Sequence, residues 1–390
     1  MMKKRIIVLT EGNIYERRGF FNAVVSRTKH LKNITDYEID VLLLSSYSPW
    51  YVRLLRHAEK YEKPKTVNIE GLNIKIDWKS FSLIDYILHY KLNKPEVFSK
   101  LHNNKIVKYL KEYDMIIAHS TNCGLIAKQA KELYGIPYTV TWHGSDIHSE
   151  PFSHSSSLKP TKDVIEAADM NFFVSKALMS TSEQLTTRCE KMVLYNGYNV
   201  MFKEYMEDQR VALRQKYGVE RKKVVVFAGN FLAIKNILTI PLIFKAISEK
   251  IQNVECWMIG GGKYRQQVEE MVKGLPVRLW GNQEPEAMPD FFNSSDVLIL
   301  PSVNEGLPLT VVEGLASGCN VVGSLVGGIP EVIGEGNCVD LKDPDFVKKF
   351  ADKVIAFLKA EPKIKQPLDS NFNWNQTAKK ELEVIHKILR

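Results

Sequence analysis

The chain has 390 residues, 45% of them hydrophobic and 25% charged, an ordinary balance for globular proteins. At about 100–200 residues per domain, two domains are expected, and the apolar content argues against disorder. The net charge is +8, and residues 1–200 hold 28 Lys/Arg against 21 Asp/Glu while the remainder holds 25 against 24, so the surplus sits in the first half and suits either an anionic partner or a plain solvated surface.

In chain order the pattern is strand, helix, strand: a β-branched run at 5–10, an amphipathic run at 20–31 preceded by Gly19, and a continuous apolar run at 39–44. Residues 47–100 are rich in Tyr, Trp and Lys and read as an insertion with extended structure at 67–78. Alternation resumes with strands at 115–118, 137–142, 171–174 and 192–194 and helices at 123–134, 162–168 and 177–187. The pattern lapses at 196–208, where the domain boundary is placed. It restarts with strands at 223–228, 254–259, 277–279, 297–300 and 320–322 and helices at 236–250, 264–272, 286–293 and 308–317. Two helices, 345–358 and 374–389, complete the pattern. This predicts two doubly wound α/β domains, 1–200 and 201–372. Ligands of such sheets bind beyond the carboxyl ends of the strands, so two facing domains would form a cleft for a two-part substrate.

The longest charge-free stretch, 314–330, is broken by five glycines and a proline, unlike a membrane span. Lys3, Lys4 and Arg5 precede only a short apolar run, so no cleavable leader is expected. The five cysteines have no CxxC spacing, which suits reduced thiols in the cytoplasm and gives no structural zinc site.

The densest chemical signal is 301–333, PSVNEGLPLTVVEGLASGCNVVGSLVGGIPEVI. Its loop follows a strand, and Pro308 suits the first turn of a helix, leaving the N–H groups of Leu309 and Thr310 as a seat for phosphate. Glu305 and Glu313 would then lie roughly 10 Å apart, one at a sugar and one at a ribose with a diphosphate between. The plainer alternative makes Glu305 a helix cap and Glu313 a surface residue. Lys235, ahead of a helix, is a point charge suited to a departing diphosphate, or a solvated lysine. His143, after a strand, faces a ligand or is a core histidine, and His119 is placed similarly. Asp343-Pro344-Asp345 resembles a metal-binding triplet but opens a helix, where Asp serves as an N-cap.

The spacing from Glu305 to Glu313, within P-S-x-x-E-G-x-P-L and followed by G-G-x-P-E, resembles the E-x7-E motif of the family-four retaining glycosyltransferases. The segments IIAHS, TWHGSD, FFVSK, YNGYN, AGNFLAIKN, MIGGGK and LWGN are similar to the same family in the same order, over nearly the whole chain and least at 47–100. The resemblance implies the GT-B fold, with a last helix at 373–390 that crosses back to the first domain, and a hexose or N-acetylhexosamine transferred from a nucleotide diphosphate sugar, UDP first, to a glycan or lipid-linked acceptor. Capsule, teichuronic acid or O-antigen synthesis would fit, in the cytoplasm or at the inner membrane face. No cofactor and no metal ion are implied.

By the same resemblance Glu305, His143 and Lys235 are catalytic. Gly19, Asn230, Gly306, Leu309, Thr310, Glu313, Arg278 and Gly281 join Lys235 and Glu305 at the donor, and His119 stands on the acceptor side. Asn230 departs from the family pattern, which has an arginine there, and removes one positive charge from the leaving-group site. A UDP-sugar epimerase or a phosphorylase on the same fold, and a non-catalytic nucleotide-sugar-binding subunit, remain as alternatives. No nucleic-acid reading motif is present.

Overall fold

The computed structural model describes residues 3–15, 19–47, 49–51, 62–80, 96–153 and 155–390. The chain divides into two compact units, Met1–Tyr195 with Trp374–Arg390, and Asn196–Asn373.

The first unit is built on a sheet of eight strands. They are β1 (Arg5–Glu11), β2 (Glu38–Tyr47), β3 (Thr66–Ile69), β4 (Leu72–Ser80), β5 (Met115–His119), β6 (Tyr138–Trp142), β7 (Met170–Phe173) and β8 (Lys191–Val193). Their order is β3-β4-β2-β1-β5-β6-β7-β8. All pairs are parallel except the β3–β4 hairpin at the edge. The extended structure expected at 67–78 is therefore this hairpin, and it extends the main sheet by two strands. Residues 48, 52–61 and 81–95 of the 47–100 insertion lie outside the described residues.

Central strands are buried on both faces because helices cover them: all five residues of β5 and of β6 are buried. Helix Thr121–Tyr134 approaches helix Ser155–Ala167 so closely that a β-carbon on Gly124 would come within 2.4 Å of Val164. The returning helix, Trp374–Ile388, places Ala378 and Ile385 in the same core as Phe21, Val24 and Val25 of helix Gly19–Asn33.

The second unit holds a parallel sheet of six strands. They are β9 (Lys223–Ala228), β10 (Val254–Ile259), β11 (Val277–Gly281), β12 (Val297–Leu300), β13 (Asn320–Ser324) and β14 (Cys338–Val339). The order is β11-β10-β9-β12-β13-β14, which reverses direction between β9 and β12. Helix Phe346–Lys359 buries Phe346, Phe350, Val354 and Leu358, one stripe at helical spacing.

Several element boundaries move. The helix expected at 236–250 begins only at Ile240. A 3-10 turn, Ala233–Lys235, precedes it, and Asn236 takes a left-handed conformation with φ of 52°. Lys235 is thus set in a tight turn rather than at a helix entry. Asp345 occupies the N-cap of helix Phe346–Lys359 without a side-chain cap bond; Asp343 instead pairs with Lys349 and accepts from the Asp345 N–H. Among the described residues no helix is long and apolar enough to cross a membrane.

Candidate active site

In an open α/β sheet the crevice forms where the strand order reverses, because the connecting helices there leave toward opposite faces. In the second unit that place lies beyond β9 and β12. The loop after β9 carries Lys235 and the loop after β12 carries Glu305, and their side chains form an ion pair although 70 residues separate them. Both are largely withdrawn from solvent, at 23% and 11% side-chain exposure, so the pair is only weakly screened.

The Glu305 loop is held from behind. Gly328 donates its N–H to the Gly306 carbonyl at 2.9 Å. Gly327, at φ of 51°, lies so close to the Glu305 carbonyl oxygen that a β-carbon there would come within 1.8 Å of it. Glycine at 327 is therefore a packing requirement for the position of Glu305.

Helix Leu309–Ala316 follows. Pro308 stands at its N-cap, one place before the expected first turn, and the N–H groups of Leu309 and Thr310 have no intrahelical acceptor. Glu313, one turn further, is half-buried, and desolvation of its carboxyl group pushes its pKa up to about 7. On the neighbouring strands, Gly260 donates to the Gly281 carbonyl at 2.7 Å and a β-carbon on Gly260 would strike the Gly229 carbonyl, so backbone lines this edge of the site. Asn230 is exposed in the loop after β9, with only its backbone carbonyl engaged among the described residues.

Arg278 lies inside β11 opposite Trp257. Its guanidinium pairs with Glu255 at 2.8 Å, donates to the Tyr217 carbonyl at 3.1 Å and covers the Trp280 ring. It ties the sheet edge to an aromatic cluster and leaves Gly281 as the residue of that pair at the strand end.

In the first unit the order reverses between β1 and β5. The ends of β1, β5 and β6 bring together Glu11, His119 with Ser120, and His143. His119 Nδ1 and His143 Nε2 are 3.0 Å apart, so one ring donates and the other accepts. Burial, with help from the Arg27 charge, pushes His143 down to about 3, and burial next to His143 and Arg27 holds His119 well below the usual range. Both rings are neutral at pH 7. Phe20 sets its ring edge-on to His143 at 4.7 Å between centroids. Asp146 orders the following turn by accepting from the His143 N–H at 3.2 Å and the Gly144 N–H at 2.8 Å. Burial still pushes its carboxyl up to about 7.

Gly19 is exposed at the start of its helix, and a β-carbon there would meet nothing within 4 Å. Among the described residues nothing demands glycine at this position. Ser175 of FFVSK caps helix Lys176–Ser182, accepting from Leu178 N at 3.1 Å.

The structure adds Glu11, Asp146, Gly327 and the buried pair Arg27–Glu381 to the residues singled out from sequence. Asp146 lies inside TWHGSD, and an acid three residues after a strand-end histidine is a readable turn signal. Arg27 and Glu381 are 354 residues apart and have no local signal.

Two parallel-sheet α/β units define the GT-B fold class. Residues 209–380 match the family of glycosyl transferases group 1. A sulfoquinovosyl transferase of Arabidopsis thaliana is 24% identical over 242 residues, 59% of this chain and 47% of that protein. An N-acetyl-alpha-D-glucosaminyl L-malate synthase of Bacillus anthracis is 27% identical over 245 residues, 61% of this chain and 63% of that one. The chain thus spans about half to under two-thirds of the length of these two relatives. Among solved structures, Anabaena HepE in complex with UDP and glucose superposes with a TM-score of 0.69 at 16% identity, over 98% of this chain and 97% of that one.

Proposed function

We propose that the chain is a retaining glycosyltransferase. It moves a hexose or N-acetylhexosamine from a UDP-sugar to a hydroxyl of a glycan or lipid-linked acceptor, without a metal ion, in cell-envelope polysaccharide synthesis. The observation that carries this reading is the Lys235–Glu305 pair at the strand-order reversal of the second unit, beside a helix start with free N–H groups. UDP as the nucleotude carrier is supported by the likeness to HepE with UDP and glucose bound.

In this reading the diphosphate replaces Glu305 as the partner of Lys235. Lysine and the N–H groups of Leu309 and Thr310 then stabilise the charge that builds on the departing oxygen. Glu305, released from the pair, accepts sugar hydroxyls, and Glu313 accepts those of the ribose. The bond from the anomeric carbon to the phosphate oxygen breaks, the acceptor oxygen bonds to that carbon on the same face, and the acceptor proton passes to the departing phosphate. The basic first half provides peripheral contact with an anionic membrane at its cytoplasmic face.

The test is UDP release and product NMR with a panel of UDP-sugars, with and without EDTA. Lys235→Ala and Glu305→Ala are each expected to lower kcat/KM at least a hundredfold, about 2.7 kcal/mol. EDTA is expected to leave the rate unchanged, and the product anomer is expected to match the donor. Near-normal transfer by both variants would sink the assignment. Nucleotide binding without turnover in the parent chain would favour a non-catalytic subunit.

A further inference from the structure

Residues 201–390 hold 25 Lys/Arg against 24 Asp/Glu, so their total charge gives no sign of an anionic partner. The distribution in space differs. A cavity of about 290 Å³ is lined by ten residues, six of them Lys or Arg and three Asp or Glu. Lys223, which opens β9, and Asp296, just ahead of β12, place it at the amino ends of these strands. The Lys235–Glu305 pair lies beyond their carboxyl ends. Six residues of β9, at about 3.3 Å each, set the two places roughly 20 Å apart.

One carboxylate organises this cavity. Asp296 has 12% side-chain exposure and faces Arg210 at 3.1 Å, Arg214 at 3.5 Å and Lys363 at 3.7 Å. It also accepts the Val224 N–H at 2.8 Å. A single negative charge thus stands against three positive ones. Arg210 and Arg214 are four residues apart on helix Glu207–Tyr217 and share a face. Arg214 is fully engaged, donating to the carbonyls of Ser294 at 2.6 Å, Val219 at 3.1 Å and Lys222. Carbonyls orient a guanidinium but do not neutralise it. Arg210 engages only Nη2, on Asp296 and the Ser295 carbonyl, which leaves Nη1 and the buried Nε without a partner among the described residues.

Two further cations in the lining are uncommitted. The side chains of Arg221 and Lys223 make no hydrogen bond or ion pair among the described residues, whereas Lys222 is paired with Glu255 at 2.6 Å. The remaining acids, Glu207 and Glu220, are exposed. An extended polyanion or a membrane surface would meet these two carboxylates as well as the cations, so the charge pattern selects a compact anion.

We propose that this cavity binds a phosphate group, free or carried by a small soluble metabolite, at a second site separate from that of Lys235 and Glu305. Arg210 Nη1, Arg221 and Lys223 supply the charge, and Asp296 holds the two helical guanidinium groups in position. A guanidinium fork matches two oxygens of a phosphate. The volume is just under the roughly 300 Å³ at which small-molecule pockets begin, in keeping with a ligand smaller than a sugar nucleotide. The proposal goes beyond the glycosyltransferase reading and does not depend on it.

The experiment follows backbone amides of the isotope-labelled full chain by NMR while inorganic phosphate is titrated at pH 7.5, with chloride at equal ionic strength as the control. The amides of Lys223 and Val224 report on this cavity, and those of Leu309 and Thr310 on the helix start beside Glu305. Lys223 and Val224 are expected to shift saturably with phosphate and not with chloride. Arg221→Gln combined with Lys223→Gln is expected to weaken that binding at least tenfold, and Lys235→Ala to leave it within twofold. Arg221→Gln alone, at an exposed position, is expected to weaken it at least threefold and serves if the double variant does not fold. A second arm measures binding to phosphatidylcholine vesicles containing one-fifth phosphatidic acid, expected to be equal for the parent and the variants at 221 and 223. No saturable shift at Val224, the same shift with chloride, unchanged phosphate binding in the variants at 221 and 223, or its loss in Lys235→Ala would overturn the proposal. Loss of vesicle binding in those variants would give the cavity to lipid headgroups and overturn the choice of a soluble ligand.

Discussion

Glu313 illustrates what one residue reveals about a site. A carboxylate one turn into a helix costs little when solvated, but this one is desolvated and its pKa stands near 7 against an ordinary 4.5. A carboxyl group whose folded pKa is raised binds its proton more tightly in the native state. Its burial therefore penalises stability progressively as pH rises from about 4.5 to 7, and the penalty is complete above 7. Glu313→Gln, which has the same shape and no charge, is expected to raise Tm at pH 8 and to lose that advantage toward pH 5. Thermal unfolding across this range checks it, and an equal effect at both ends would refute the burial of the charge. His143 runs the other way. Its folded pKa is depressed to about 3 from 6.5, so its contribution is full above 6.5 and falls away as pH drops toward 3. The Glu313 spacing was legible in the chain; its desolvation was not, because burial depends on what folds over the helix.

At the scale of elements, the informative contact is between helix Gly19–Asn33 and helix Trp374–Ile388. Arg27 and Glu381 meet at 2.6 Å with 2% and 1% side-chain exposure, and Arg27 lies over the Phe172 ring. Among the described residues its two terminal nitrogens and one Glu381 oxygen have no hydrogen-bond partner, so the pair is incompletely satisfied. Removing one member leaves a buried charge unpaired, at a cost of about 3–5 kcal/mol. Glu381→Ala is expected to show that loss in chemical denaturation, and Arg27→Met with Glu381→Met together to recover most of it. Additive losses in the double variant would show that no charge is stranded. Each helix could be read from its apolar period. Their pairing could not, since a charge on a helix gives no sign of whether it meets water or another helix.

At the scale of the whole chain, the first unit is assembled from two distant stretches, Met1–Tyr195 and Trp374–Arg390. A chain ending at 373 would lose Ala378 and Ile385 from the core that also holds Phe21 and Val25, along with the partner of Arg27. Such a truncation is expected to lower the stability of the first unit and spare the second. Hydrogen exchange should show lost protection in helix Gly19–Asn33 and unchanged protection in β9, β10 and β12. Equal loss in both units would refute this division.

The sequence by itself determined the alternation of strands and helices, because each element's burial writes a period into its own residues. It determined the strand-end loops with Lys235, Glu305 and His143, because short polar turns after apolar runs are local features. Only the tertiary structure decided that Lys235 and Glu305 neutralise each other and that Arg278 serves the sheet edge. Those facts depend on which strand ends lie side by side, and strand order arises from contacts between residues far apart in the chain.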